Sequence, residues 1–126
     1  MAEAITVNAY RRRLASAMAG GPPIAKAAYM AFGDGGHNAD LTAKAPSRDQ
    51  ESLNNEIIRK PLLDVTQEDL YSMTGRGLLE TSELVGVPVS EAALVDANGE
   101  VIGIKNFAPK VKESDERYEV SIKLRF

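Results

Sequence analysis

The 126-residue chain contains no cysteine, which removes a disulfide framework and thiolate chemistry together. It has a single histidine, His37, so a Ser-His-Asp arrangement or a histidine-rich metal site has at most one imidazole to use. Aromatics are scarce: four tyrosines and three phenylalanines, several at expected core positions, which weakens the case for an aromatic-lined binding groove. No apolar run approaches the roughly 20 residues of a membrane helix. The opening MAEAITVNAYRRR lacks the basic start and apolar core of a secretory signal. A soluble protein made in the cytoplasm is expected. Nor is there a large excess of one charge: the formal net charge is −3, giving no global attraction to nucleic acid or an anionic membrane.

What is present is a hydrophobic fraction of 44%, enough for one domain spanning residues 1–126 around an ordinary core. Charge is distributed unevenly. Arg11, Arg12, Arg13 and Lys26 face only Glu3 in the first 26 residues, a local balance of +3, so the remainder carries −6. The arginine cluster is the candidate partner-binding surface, weighed against a merely solvated helix face.

Hydrophobic periodicity places a helix over Thr6–Ala19, with Val7, Tyr10, Leu14, Ala17 and Met18 on one stripe. Gly20-Gly21-Pro22-Pro23 stops it, glycine taking the left-handed cap. Ile24–Phe32 fits either a helix, by its alanines, or a buried strand, by its length and glycine-rich exit. Residues 34–46 read as a long loop, of the kind that is often functional or mobile. Ser47 and Gln50 have capping-box spacing, which predicts a second helix over 47–59 with Leu53 and Ile57 inward.

The rest, from 62 to 126, reads as β-rich. Leu62–Thr66 and Leu70–Leu79 form one hairpin, with Gly75 and Gly77 marking a bulge or a close backbone approach. Asn98-Gly99 supplies the φ > 0 pair of a two-residue hairpin turn between Ala92–Val95 and Val101–Ile104. Tyr118–Phe126 alternates apolar and polar residues as a half-buried strand. The fold class predicted is α+β: two helices packed on a mainly antiparallel sheet or sandwich.

Three motifs carry a family resemblance. Ala31-Phe32-Gly33-Asp34-Gly35-Gly36, Leu53-Asn54-Asn55-Glu56-Ile57-Ile58-Arg59, and Glu91 through Leu94, Asp96 and Gly99 to Ile102 follow one another in order. The set resembles the phage tail-collar fibre family, with its A-x-G-D-G-G, L-x-N-E-x-x-R and E-x-G-L-[FY]-D-x-x-G-x-L-I elements. Ala93 stands where that pattern has glycine, and Val95 replaces its aromatic. The resemblance covers the chain from the first helix onward and implies that Ile24–Phe32 is a strand. It implies no enzymatic activity and no cofactor. The implied role is that of a structural virion protein of the phage tail, made in the host cytoplasm. It would link the baseplate or tail tip to a receptor-binding fibre, with itself (as a trimer) and other tail, baseplate or fibre proteins as partners. The alternative is a small carbohydrate- or ligand-binding domain for the host surface.

The residues themselves offer little chemistry. Gly33-Asp34-Gly35-Gly36 lacks the lysine and hydroxyl of a phosphate loop. Asp34, Asn38 and Asp40 miss the EF-hand spacing, so no metal site is expected. Glu68-Asp69 and Asp115-Glu116 fall in expected turns, not in a pocket that would separate their pKa values. Gly33, Asp34, Gly35, Glu56, Arg59, Glu91, Asp96 and Gly99 are therefore read as structural-motif residues. Glu56 and Arg59 would share a helix face, with Arg59 pairing with Glu91 or capping strand carbonyls.

Overall fold

Eight strands and one helix make up the computed structural model, which describes residues 3–126. The strands are β1 (Ala4–Thr6), β2 (Ala27–Gly33), β3 (Glu56–Pro61), β4 (Asp64–Asp69), β5 (Ser72–Leu79), β6 (Pro88–Asp96), β7 (Val101–Val111) and β8 (Tyr118–Arg125). The helix, α1, spans Asn8–Met18. One sheet has the order β1-β7-β6-β2-β3 and the other β4-β5-β8, with every pairing antiparallel. The α+β class with two helices on a sheet is thus corrected. The architecture is a mostly β, two-sheet fold with one short helix.

The missing helix has a local cause. At 47–50 the capping chemistry does form: Ser47 N–H donates to Gln50 Oε1 at 2.8 Å, and Asp49 N–H to Ser47 Oγ at 3.2 Å. It closes one turn only. In a continuing helix the amides of Asn54 and Asn55 would seek carbonyls four residues back; here they donate to the Glu91 carboxylate instead. Ile57 and Ile58, β-branched, then enter β3.

The two sheets enclose the main core. Met30, Phe32, Ala92, Leu94 and Ile102 from the larger sheet meet Leu79, Val120, Ile122 and Leu124 from the smaller. Gly75 and Gly77 permit this contact: a Cβ at Gly75 would stand 2.5 Å from Leu94 Cδ2, and one at Gly77 2.6 Å from Met30 Cβ. The expected close backbone approach is therefore present.

On its other face the larger sheet carries a second cluster of Val7, Ala31, Leu53, Ala93, Val95, Val101 and Ile104, flanked by Ala9 and Tyr10 of α1. With both faces covered, β2 loses polar alternation. This is why Ile24–Phe32 could be read as either helix or strand; the strand form is observed, over Ala27–Gly33.

Helix α1 begins two residues later than expected because Ala4–Thr6 pairs with β7. It ends as expected, Gly20 taking φ 96° while the amides of Gly20 and Gly21 return to Ala17 O and Ser16 O. No residue of α1 is fully buried, and Met18, on the apolar stripe, is 84% exposed. Phe126 lies just past β8 at the surface, its ring 6.2 Å from that of Tyr10. No helix among the described residues is long and apolar enough to cross a membrane.

Candidate functional site

Glu91, in the middle of β6, is fully buried. A buried carboxylate is costly unless hydrogen-bonded, and three backbone amides meet this one. Gly35 and Asn55 N–H donate to Oε2 at 2.9 and 2.8 Å, and Asn54 N–H donates to Oε1 at 2.8 Å. The donors come from two segments that precede Glu91 by 56 and by 36–37 residues. Two of the motifs singled out in the sequence are thereby tied to the third.

The loop after β2 is shaped for close approach. A Cβ at Gly33 would lie 2.3 Å from Asn55 O, and one at Gly36 would lie 2.2 Å from Ser90 O. Gly36 N–H donates to Ser90 Oγ, as Asn55 Nδ2 does to Asp34 Oδ1 at 2.6 Å and Asn54 Nδ2 to Gly35 O at 3.0 Å. His37, expected as a solvated turn residue, is half-buried with Nδ1 2.7 Å from Ser90 Oγ. Further along, Lys44 N–H donates to Gly36 O, and Asn106, opposite Glu91 on β7, donates Nδ2 to Lys44 O. The loop expected to be functional or mobile is held at several points along its length.

Arg59 does not reach Glu91. It pairs with Glu56, Nη2 to Oε1 at 2.8 Å and Nε to Oε2 at 3.1 Å, and donates Nη1 to Gly99 O at 3.1 Å. Residues three apart on a regular strand face opposite sides. Here Phe32 pairs with Ile58 and Gly33 with Glu56, so Ile57 is an extra residue that brings Glu56 and Arg59 together. The shared face predicted for a helix arises from a bulge.

The β6–β7 turn differs from the expected two-residue form. Gly99 alone is left-handed, at φ 87°, and Asp96 N–H donates to Glu100 O across a three-residue connection. Buried Asp96 organises it, Oδ1 accepting from Asn98 N–H at 2.9 Å and Glu100 N–H at 3.0 Å.

The three arginines divide. Arg13 turns inward: Nη2 donates to Val101 O at 2.9 Å and lies 3.7 Å from Asp96 Oδ2, while Nε lies 2.9 Å from Glu100 Oε2 without hydrogen-bond alignment. Its guanidinium also sits 5.6 Å from the Tyr10 ring centre. Arg13 fastens the helix to the hairpin and is not a free docking charge, whereas Arg11 and Arg12 are exposed.

Sequence reasoning missed the role of the Asn54 and Asn55 amides, because backbone donors leave no side-chain signature. It also missed Lys112, fully buried with Nζ donating to Thr81 O, Glu113 O and Glu116 O at 2.9–3.2 Å. Flanked by Lys110, Glu113, Asp115, Glu116 and Arg117, it carries no sign of burial in the sequence. Chemically, Glu91 is committed to amide donors away from solvent, which suits it to holding segments in place and not to proton transfer. Among the described residues no group of three His, Asp or Glu side chains is placed to share a metal ion. In comparisons with known proteins, no family model, no curated protein and no solved structure matches this chain.

Proposed function

We propose that this chain is a structural, non-enzymatic virion domain of tail-collar fibre type, an adaptor between a phage tail tip or baseplate and the receptor-binding fibre, acting as a homotrimer. One observation supports the reading above others. The three motifs behind the resemblance, separated by tens of residues, meet around one carboxylate and its three amide donors. Such a network fixes the relative positions of segments and gives a rigid body, which is what a joint under tension requires. The test is immunogold labelling of particles released by the genome that encodes the chain. Label at the distal tail is expected; purified particles free of the protein overturn the reading.

A second reading, a host-surface carbohydrate- or ligand-binding domain, is favoured by one feature. Tyr71 and Phe126, 71% and 57% exposed, line a groove of about 420 Å³ beside Leu70 and Met73, and exposed aromatics at a groove are the mark of such a site. Saturable binding on a glycan array, lost in Tyr71→Ala, would favour it over the adaptor.

A further inference from the structure

From the surface of this fold we infer that copies of the chain assemble by seating the β4–β5 tip of one in a cationic groove of the next. The inference rests on the assembly reading above and names its contact. The tip projects: Leu70 and Tyr71, between the two strands, are 83% and 71% exposed, and every β4 residue after Asp64 is exposed. Glu68 and Asp69 precede them, so the tip is apolar at its point and acidic at its shoulder.

The groove, about 360 Å³, opens between β1 and β8, the end strands of the two sheets. Arg48, Lys105, Lys123 and Arg125 line it, and half-buried Ile5 supplies its apolar surface. Glu3 is its one acidic residue. Tip and groove therefore match in charge, acid to base, with Ile5 open to the apolar point of the tip.

Their intrachain partners sharpen the match. Lys105 and Arg48 donate to Ser121 O and Thr6 O, and Lys123 lies 3.6 Å from Asp69 Oδ2. Arg125 and Glu68 make no ion pair or side-chain hydrogen bond among the described residues. The Lys123–Asp69 contact also places the acidic shoulder of the tip beside the groove of its own chain. A tip seated in the groove of the next copy is a head-to-tail contact, which forms a ring where the rotation between copies closes. A buried tyrosine is a common anchor of such contacts, and the charges around it set register and salt sensitivity.

The experiment is a charge exchange on the full chain, read by analytical ultracentrifugation with circular dichroism to verify folding. Glu68→Arg and Arg125→Glu each should weaken assembly about tenfold or more, the scale of close interfacial charge pairs. The double variant E68R/R125E should recover it. An equimolar mixture of the two single variants satisfies every contact only in rings with an even number of copies, so the trimer proposed above predicts incomplete recovery. Assembly that neither reversal disturbs overturns this contact and leaves the adaptor reading standing. A folded wild-type chain that stays monomeric at all concentrations overturns the contact too, while labelling of particles judges the adaptor separately.

Discussion

The Glu91 region and the β4–β5 tip solve opposite problems with the same backbone. Around Glu91 every oxygen of a buried carboxylate has an amide donor, and glycines let main chain pack where a methyl group would not fit. At the tip, two large apolar side chains face solvent, and strand β4 has one neighbour only. The first region locates three segments relative to one another, and substitution there should be read out as stability. The second adds little to the fold of an isolated chain, and substitution there should be read out as association. Burial and hydrogen-bond commitment, more than charge or motif membership, separate the two regions.

The largest loss of stability is expected at Glu91 itself. Glu91→Ala strands three amides, each costing about 1–3 kcal/mol when unpaired and away from water. Asn54 and Asn55 lie near solvent, so the total should be about 3–5 kcal/mol, lowering the melting temperature by more than about 10 °C. Gly36→Ala should also be severe, since its new methyl would press on Ser90 O. Leu70→Ser, at the tip, should change stability by no more than about 0.5 kcal/mol. Thermal denaturation of the three variants checks the contrast; similar losses in all three would erase it.

A smaller effect is expected at the β6–β7 turn. Gly99 is left-handed, but a Cβ there would meet only Arg59 Nη1, at 3.7 Å. The cost of Gly99→Val is then backbone strain without a clash, about 1–2 kcal/mol. Denaturant titration should show a lower midpoint with an unchanged slope. An unaltered midpoint would mean that the turn does not need its left-handed residue.

How far the fold was legible follows from the same physics. The β8 strand was plain in the sequence because one face is wet and the period of two survives. The Asn98-Gly99 connection was located, though the turn type was not, since buried Asp96 caps two amides and shifts the left-handed conformation to Gly99 alone. Segment 47–59 misled because capping-box residues satisfy one turn equally well whether or not a helix follows. What decided it was Glu91, more than thirty residues further on. Half of the candidate site is legible in the motifs, which contain Glu91, Asp34 and the glycines, but their meeting point depends on amides that have no sequence signature. Arg13 could not be told from Arg11 and Arg12, because only the helix's orientation on the hairpin separates them.

That separation is testable. Arg13→Ser removes a donor to Val101 O and an ion pair with Glu100, and should cost about 1 kcal/mol of stability. Arg11→Ser with Arg12→Ser should leave the melting temperature within about 2 °C, because both side chains are exposed. Any effect of that pair should appear in association, strongest at low ionic strength. If all three arginines prove equivalent in stability, the inward role of Arg13 is wrong.

Acid should act most weakly of all, and it should act at the root of the tip. Asp64, where β4 leaves the body, pairs with Arg76 of β5, which also reaches Glu119 of β8 at 3.0 Å. The hydrogen bond from Arg76 holds the Asp64 carboxyl below its ordinary range. A depressed carboxyl contributes stability that is fully present above its unfolded value, about 3.9, and is lost as pH falls through its folded value. The pair is open to solvent, so its contribution is small. Melting temperatures measured from pH 6 down to pH 2 should decline less steeply in Asp64→Asn than in the wild-type chain, with the curves converging at the acid end. Since Asp64 anchors the strand that bears Glu68, loss of its charge should also appear as weaker assembly at the acid end of this range. Parallel melting curves for the two proteins across this range would show that the Asp64–Arg76 pair does not hold the tip.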